Sequence, residues 1–238
     1  MLRAHEREIL DGGTLVLLGD VYDQYIEYRH LVPKSGPRLV GLLAEWADAG
    51  AEVVYVVGNR DPWHGTYFSD EIGVTLVRGA WESRRDGRAL YIAHGDGHGR
   101  PASLADRLSH RLRPLLRAPF ITRFYRMGLP GDTGFGLARQ FARRFGTDGE
   151  PDPAAHRALA EAACERLEGT DADLVAFGHS HREALQTTPH GTYLNPGYWF
   201  GARTFARIDA DGPALYRWRS GAAEPLPAAR PLAATSSL

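Results

Sequence analysis

The sequence predicts an α/β fold, and three observations indicate this class. Aliphatic segments of strand length occur at 14–18 and 52–57. A segment with helical spacing, 37–49, separates them, and this order of elements is typical of parallel strands covered by a helix. The chain has 238 residues, 43% of them hydrophobic, so it can bury a sizeable core in one main domain with an insertion.

The other elements follow in order along the chain. Residues 2–10 predict a short helix, and 101–168 predict mostly helices that prolines interrupt. Further strands are predicted at 74–77, 80–84, 89–93, 173–177, 183–188, 192–194, 203–208 and 214–219. The dipeptide Asp86-Gly87 indicates a hairpin turn between two of these strands.

Composition and charge exclude several classes of protein. The formal net charge is −1, which gives no global attraction to nucleic acid or anionic lipid. Cys164 is the only cysteine, which excludes an internal disulfide and a thiolate metal cluster. No apolar run approaches the roughly 20 residues of a membrane span, and the N-terminus lacks the apolar core of a signal peptide. We therefore expect a cytoplasmic protein.

Polar side chains follow four of the predicted strands at the point where each strand ends. These segments are Gly19-Asp20, Gly58-Asn59-Arg60-Asp61, His94-Gly95-Asp96 and Gly178-His179-Ser180-His181. In open α/β sheets such loops line the ligand crevice. The first segment alone is more often a turn or a helix cap and the second is usually a loop, whereas the paired histidines of the fourth favour a metal more strongly, with surface residues as the alternative. Four such segments in one chain indicate a shared site. Imidazole, carboxylate and amide oxygen together suit divalent manganese, iron or zinc.

In this order the four segments resemble the calcineurin-like metallophosphoesterases. That family implies a four-layer αββα sandwich with a two-metal site that hydrolyses phosphate esters. Arg60, the Arg-rich helical insertion and the segment 193–199 (YLNPGYW) are similar to features of the UDP-2,3-diacylglucosamine pyrophosphatases of lipid A synthesis. The resemblance covers roughly residues 10 to 219. Asn195 and Gly197 are expected only to shape a turn.

The resemblance implies ligands for two divalent ions, with Mn²⁺ expected and Fe²⁺ or Zn²⁺ as alternatives. The implied metal ligands are Asp20, Asn59, His94, His179 and His181. Asp20 would bridge the two ions, and His181 would be a ligand of the first ion. The second-ion site is then complete. The first-ion site is incomplete, because nothing before Gly19 has the Asp-x-His form of the family's first strand. We expect either a misassigned start or a lost motif.

The resemblance also implies catalytic and substrate-binding residues. The catalytic set is Asp20, Asn59, Arg60 and His94, and the substrate-binding set is Arg60, Asp61, Arg123 and Tyr125. The planar guanidinium of Arg60 would donate two hydrogen bonds to a phosphate. Arginine is a poor proton donor, which favours a good leaving group such as a nucleotide phosphate. The alternative for Arg60 is a salt bridge to Asp61.

The insertion combines cationic and apolar residues. Between Arg100 and Arg144 there are ten arginines and two acidic residues, with leucines and aromatic residues interleaved. Such a surface, residues 100–144, is typical of peripheral contact with anionic lipid, and the resemblance implies a cap that receives acyl chains. One alternative is a solvated basic face packed through its leucines. Another is RNA contact, which the lack of a recognisable nucleic-acid module disfavours.

These observations predict a domain plan and a function. Residues 1–99 and 170–219 would form the metallophosphoesterase domain without its first strand, 100–169 the cap, and 220–238 a disordered tail. The expected reaction is hydrolysis of the pyrophosphate bond of UDP-2,3-diacylglucosamine or a similar nucleotide-linked lipid at the inner membrane. The alternatives are a generic phosphodiesterase or phosphatase, and a non-catalytic phosphate-binding relative. Three further histidines, His30, His156 and His190, are expected at the surface, and His64, His98 and His110 near the motif loops.

Overall fold

A computed structural model describes residues 1–99, 114–115, 118–145 and 153–227. The chain divides into two compact units. The first unit comprises Leu2–Gly79 and Pro101–Glu150, and the second comprises Ala80–Arg100 and Pro151–Leu238 with Met1. The bounds expected for the main domain and the cap stay a prediction.

The elements alternate as the sequence predicts. The helices are α1 (Glu6–Leu10), α2 (Pro37–Asp48), α3 (Pro119–Gly128), α4 (Gly131–Phe145), α5 (Pro153–Gly169) and α6 (Trp199–Ala202), with a 3-10 turn at Leu2–His5 and a π-helical turn at Tyr67–Glu71. The strands are β1 (Thr14–Leu18), β2 (Glu52–Val56), β3 (Thr75–Val77), β4 (Ala80–Arg85), β5 (Arg88–Ala93), β6 (Leu174–Phe177), β7 (Ala184–Thr188), β8 (Gly191–Asn195), β9 (Thr204–Asp209), β10 (Gly212–Arg219) and β11 (Ala222–Pro225). Among the described residues, no helix combines the length and the apolar character needed to cross a bilayer.

The first unit contains a parallel sheet of order β1-β2-β3. Helix α2 begins at Pro37, whose fixed φ suits the first helical position, and it buries Leu43 and Trp46 in the same core as Val53 and Tyr55 of β2. The predicted parallel pair is therefore confirmed. Parallel pairing also brings the carboxyl ends of β1 and β2, and the loops that follow them, to one edge of the sheet.

The second unit contains a five-stranded sheet of order β4-β5-β6-β8-β7. Strands β5, β6 and β8 are parallel, while β4 and β7 pair antiparallel at the two edges. In helix α5, Leu159, Ala163 and Leu167 are buried in the same hydrophobic core as Val175 and Phe177 of β6. Each unit thus pairs a sheet with a covering helix, and the predicted α/β class is confirmed.

A second sheet in this unit has the order β11-β10-β9 and is antiparallel. Its edge strand β11 falls in the segment expected to be a disordered tail. Ser220 and Gly221 both adopt positive φ, 50° and 87°, and turn the chain back so that Ala223 pairs with Trp218 of β10. The tight turn allows a short alanine-rich segment to form a strand. Residues 228–238 lie outside the described residues.

Candidate metal centre

In the first unit, Asp20 sits in a sharp turn at the end of β1. Gly19 and Asp20 have φ of 76° and 52°, and aspartate is one of the few residues that adopts this left-handed region readily. The turn brings Oδ1 of Asp20 within 2.8 Å of the backbone N–H of Arg60, which donates to it. A Cβ on Gly58 would overlap that carboxylate and the Asp20 backbone nitrogen. Gly58 therefore lets the loops after β1 and β2 meet.

Asp61 fixes this pair of loops from inside. It is completely buried, and its carboxylate accepts hydrogen bonds from the backbone N–H of Gly58 (2.7 Å), the N–H of Val21 (3.0 Å) and the hydroxyl of Tyr55 (2.6 Å). A buried carboxylate with these partners orients the loops and does not face solvent. This position favours a structural role for Asp61 over the substrate contact that the sequence suggested.

Arg60 lies between two carboxylates. Its Nη1 pairs with Oδ1 of Asp23 at 3.2 Å, and its Nε lies 3.9 Å from Oδ2 of Asp20. The Asp23 side chain is almost fully exposed, while the Arg60 side chain is 26% exposed. The ion pairs described for Arg60 are therefore to Asp20 and Asp23, whereas the sequence suggested Asp61 as the alternative partner. Asn59, the residue before Arg60, is partly buried on the same loop.

In the second unit, His94 follows β5 and is 3% exposed. The rings of His94 and His179 pack edge to face with centroids 5.2 Å apart. One ring nitrogen of His94 lies within 4.8 Å of one ring nitrogen of His179. Gly95 turns the chain between them with φ of 107°, and a Cβ there would press on His179 and Phe177. The parallel pair β5 and β6 brings these two imidazoles together, as their positions at strand ends predicted.

The turn that carries His179 and His181 is held by Asn195. Both histidines have positive φ, 45° and 55°, an uncommon conformation for side chains of this size. Nδ2 of Asn195 donates to the carbonyl of Gly178 at 2.7 Å and to Oγ of Ser180 at 3.1 Å. Sequence reasoning expected Asn195 only to shape its own turn. Its position at the end of β8, next to β6, is the signal that could have identified it.

His156 and Tyr198 support the same turn. Nδ1 of His156 lies 3.2 Å from Oγ of Ser180, and His156 is 6% exposed because helix α5 packs this face on the sheet. The expectation of a surface His156 is therefore wrong. His181 stacks on Tyr198 with ring centroids 4.3 Å apart and an angle of 11° between the planes. The stacking orients the His181 ring.

The other histidines expected near the motif loops are packing residues where they are described. His64 stacks on Tyr25 at 4.1 Å, and burial, with Arg78 and Arg126 nearby, lowers its pKa to about 3. His98 stacks on Phe177 at 4.7 Å, and burial lowers its pKa as well. Neutral imidazoles in such sites pack as aromatic rings. His110 lies outside the described residues, and the exposed His30 and His190 are at the surface as predicted.

Two predicted substrate-binding residues lie on helix α3. Tyr125 packs its ring edge to face with Trp63 at 4.7 Å, and its hydroxyl donates to the carbonyl of Gly134 at 2.6 Å. Arg123 is exposed. Arg126, which the sequence did not single out, donates from Nη2 to the carbonyl of Trp63 at 2.8 Å. Side chains of the remaining arginines between 100 and 144, except Arg139, lie outside the described residues.

The donors in these loops fit borderline divalent cations. Within the second unit, the ring nitrogens of His94 and His179 lie close enough to share an ion. The carboxylate of Asp20, on the first unit, is a donor of the same class. Buried hydrogen bonds that Asp61 accepts and Asn195 donates hold the loops that carry these donors, and such supporting contacts are a recurrent property of metal centres.

No protein-family model matches the chain. Curated proteins named UDP-2,3-diacylglucosamine hydrolase are similar to it. The one from Porphyromonas gingivalis is 31% identical over 114 residues, which is 47% of this chain and 44% of that protein. The one from Ralstonia nicotianae is 28% identical over 196 residues (76% and 69%), and the one from Xanthomonas oryzae is 24% identical over 220 residues (87% of each). The match thus spans less than half the length of the P. gingivalis protein. The resemblance to this family that the sequence predicted is confirmed. The relatives are named hydrolases, which agrees with the prediction that this chain is a hydrolase.

Solved structures give weaker similarity. A Vps29 mutant from Entamoeba histolytica is 13% identical, with 94% of this chain and 87% of that chain covered and a TM-score of 0.46. A structure described as a novel archaeal phosphodiesterase is 11% identical, with 94% and 90% covered and a TM-score of 0.40.

Proposed function

We propose that the chain is a metal-dependent hydrolase of phosphorus anhydride bonds that acts on UDP-2,3-diacylglucosamine or a similar nucleotide-linked lipid. One observation carries this proposal. The Asp20 carboxylate, an anion suited to a metal, lies 3.9 Å from Arg60, a cation suited to a phosphate, on loops that Asp61 locks together. The names of the similar proteins supply the substrate class.

The proposed metal ligands are those that the sequence suggested. They are Asp20, Asn59, His94, His179 and His181, for two divalent ions, with Mn²⁺ the first choice and Fe²⁺ or Zn²⁺ next. When bound, divalent ions would lower the pKa of a coordinated water, orient the phosphate and neutralise its developing charge.

The protein groups have separate tasks in the reaction. The backbone N–H of Arg60 holds one oxygen of Asp20, which stabilises the anionic carboxylate that a cation needs. The Arg60 guanidinium leaves Asp23 and donates to a nonbridging oxygen of the phosphate that is attacked. Exchange of an exposed carboxylate for a phosphate costs little, because exposed ion pairs contribute at most about 1 kcal/mol.

The described part of the predicted lipid surface supports a membrane-bound substrate. Helix α3 exposes Phe120 (63%), Phe124 (80%) and Met127 (76%), and Arg123 is exposed on the same helix. Exposed apolar residues beside a cation are typical of helices that lie in the interface of an anionic membrane. We therefore propose peripheral contact with the cytoplasmic face of the inner membrane through residues 100–144, and we favour this contact over RNA binding.

The test is release of UMP from UDP-2,3-diacylglucosamine by the purified chain with Mn²⁺. We expect UMP and the acylated sugar phosphate as products, with loss of activity after chelation and in Asp20→Asn. Bis(p-nitrophenyl) phosphate and UDP-N-acetylglucosamine serve as comparison substrates. Hydrolysis of the comparison substrates alone would identify a generic phosphodiesterase. Mn²⁺ binding without any hydrolysis would identify a non-catalytic relative.

A further inference from the structure

The backbone carbonyl of Trp63 forms a junction, a point where hydrogen bonds join separate segments of the first unit. It accepts a hydrogen bond from Nη2 of Arg126 at 2.8 Å and another from the backbone N–H of Glu27 at 3.1 Å. An isolated parallel bridge joins Trp63 to Ile26. Helix α3 therefore meets the segment after β1 and the segment after β2 at one peptide group.

Trp63 closes the loop that carries Arg60. The loop begins at Gly58, where Asp61 accepts the backbone N–H, and it ends at Trp63. Both anchor points are polar and at least partly buried, whereas the Arg60 guanidinium between them is partly exposed. The backbone of this loop is thus held at both ends, and α3 contributes a hydrogen bond at one of them.

Arg126 is built into this junction and is not a surface cation. Burial lowers its pKa, and the negative charge of Glu27 acts in the opposite direction. Its neighbour Tyr125 packs against the Trp63 ring, so α3 contacts both the main chain and the side chain of Trp63. The same helix exposes Phe120 and Phe124 on its surface. A hydrogen bond from a charged donor to a carbonyl is among the stronger ones in proteins.

We infer that Arg126 is a positioning residue that acts through Trp63 to hold Arg60 in the direction needed for phosphate binding. This inference rests on the proposed function for the assignment of Arg60 to the phosphate. Arg126 touches neither metal nor substrate in this scheme. Its effect on the reaction is therefore an effect on Arg60, and it disappears when Arg60 is removed.

A double-mutant cycle separates this role from general support of the fold. The variants are Arg60→Met, Arg126→Met and the double substitution, and the probe is the affinity for UMP in the presence of Mn²⁺ by calorimetry. We expect Arg60→Met and Arg126→Met each to weaken UMP binding, by about tenfold for loss or misplacement of one charged donor. In the Arg60→Met background, Arg126→Met should change the affinity by less than about twofold.

Matched variants keep the test interpretable. Arg38→Met removes an exposed arginine from α2 in the same unit and should leave UMP affinity unchanged. Arg126→Lys retains a cationic donor for the Trp63 carbonyl and should recover part of the affinity that Arg126→Met loses. If Arg126→Met does not fold, Arg126→Gln and Arg126→Lys form the cycle instead.

The outcomes distinguish this inference from the proposed function. If the effects of Arg60→Met and Arg126→Met multiply, or if Arg126→Met leaves UMP affinity unchanged, Arg126 does not act through Arg60 and the inference is overturned. Failure of the wild-type chain to bind UMP overturns it as well. A wild-type chain that binds UMP but hydrolyses no substrate refutes the proposed function, while the cycle still reports on Arg126.

Discussion

The hydroxyl of Tyr55 donates a 2.6 Å hydrogen bond to the carboxylate of Asp61, and both side chains are completely buried. Tyr55 lies inside β2, and Asp61 lies in the loop that follows it. Burial, followed by the negative charge of Asp61, raises the pKa of Tyr55 well above its ordinary value. The tyrosine therefore stays a hydrogen-bond donor, and the core of the first unit is connected directly to the loop that carries Asn59 and Arg60.

Asp61→Asn should lower the free energy of unfolding by about 1–3 kcal/mol. In the wild type, the N–H groups of Gly58 and Val21 donate to the two carboxylate oxygens of Asp61. In the variant, the amide NH₂ replaces one of these oxygens and cannot accept, so one buried N–H loses its acceptor. Urea denaturation measures the change. Tyr55→Phe removes one of the same bonds and should cost less, about 1 kcal/mol. An Asp61→Asn protein as stable as the wild type would contradict the structural role of this carboxylate.

Gly58→Ala should weaken Mn²⁺ binding, because its Cβ would overlap the carboxylate and the backbone nitrogen of Asp20. The displaced carboxylate would lose its bond to the Arg60 N–H. Calorimetric titration with Mn²⁺ measures the effect. Gly41→Ala is the matched control, since nothing lies within 4 Å of a Cβ there and the residue is helical. This control should keep Mn²⁺ affinity and gain about 0.5–1 kcal/mol of stability.

Asn195→Asp should weaken metal binding through the turn that carries His179 and His181. A carboxylate cannot donate to the carbonyl of Gly178 or to Ser180, and an unpaired charge at this fully buried position is costly. Mn²⁺ titration and thermal unfolding should both show a loss. Gln186→Glu makes the same change of amide to carboxylate at a partly exposed position in β7, and neither property should change there.

His64→Phe should reduce the loss of stability in acid. The ordinary histidine pKa is 6.5 and the folded value is about 3, so between these values the unfolded chain binds a proton that the folded chain does not. Stability therefore falls as pH falls through this window, by up to about 1.4 kcal/mol per pH unit.

Phenylalanine keeps the stack on Tyr25 and removes two ring nitrogens that have no hydrogen-bond partner in the described structure. Urea denaturation at about pH 7 and about pH 5 measures the difference in slope. His30→Phe, at an exposed position, should show the pH dependence of the wild type. An unchanged slope in His64→Phe would show that another group causes the acid sensitivity.

Phe124→Asp should weaken binding to vesicles that contain anionic lipid, since Phe124 is 80% exposed on α3. The substitution removes apolar area and adds a charge that anionic lipid repels. Vesicle sedimentation at low salt measures the bound fraction. Phe200→Asp is the control, because Phe200 is 68% exposed but lies on α6 in the other unit. Equal losses in both variants would argue against α3 as the lipid contact.

The sequence by itself determined most of the elements, though not β11, and the residue types at their ends. The predicted strand 14–18 is β1 as it stands, and Asp86-Gly87 joins β4 to β5 as predicted. The positions of Asp20 and His179, each one glycine beyond the end of an aliphatic strand, predicted a metal centre. These features depend on local signals, because hydrophobic period and turn chemistry act over a few neighbouring residues.

Only the tertiary structure decided which polar residues support the loops. Asp61 is buried against Tyr55, Asn195 bonds to a carbonyl 17 residues earlier in the chain, and Arg126 reaches a carbonyl 63 residues away. His156 looked like a surface residue until α5 packed it against the sheet. Such contacts join segments far apart in sequence, and no local pattern encodes the partner of a buried polar group. That partner depends on which elements pack together and which groups burial then leaves to be satisfied.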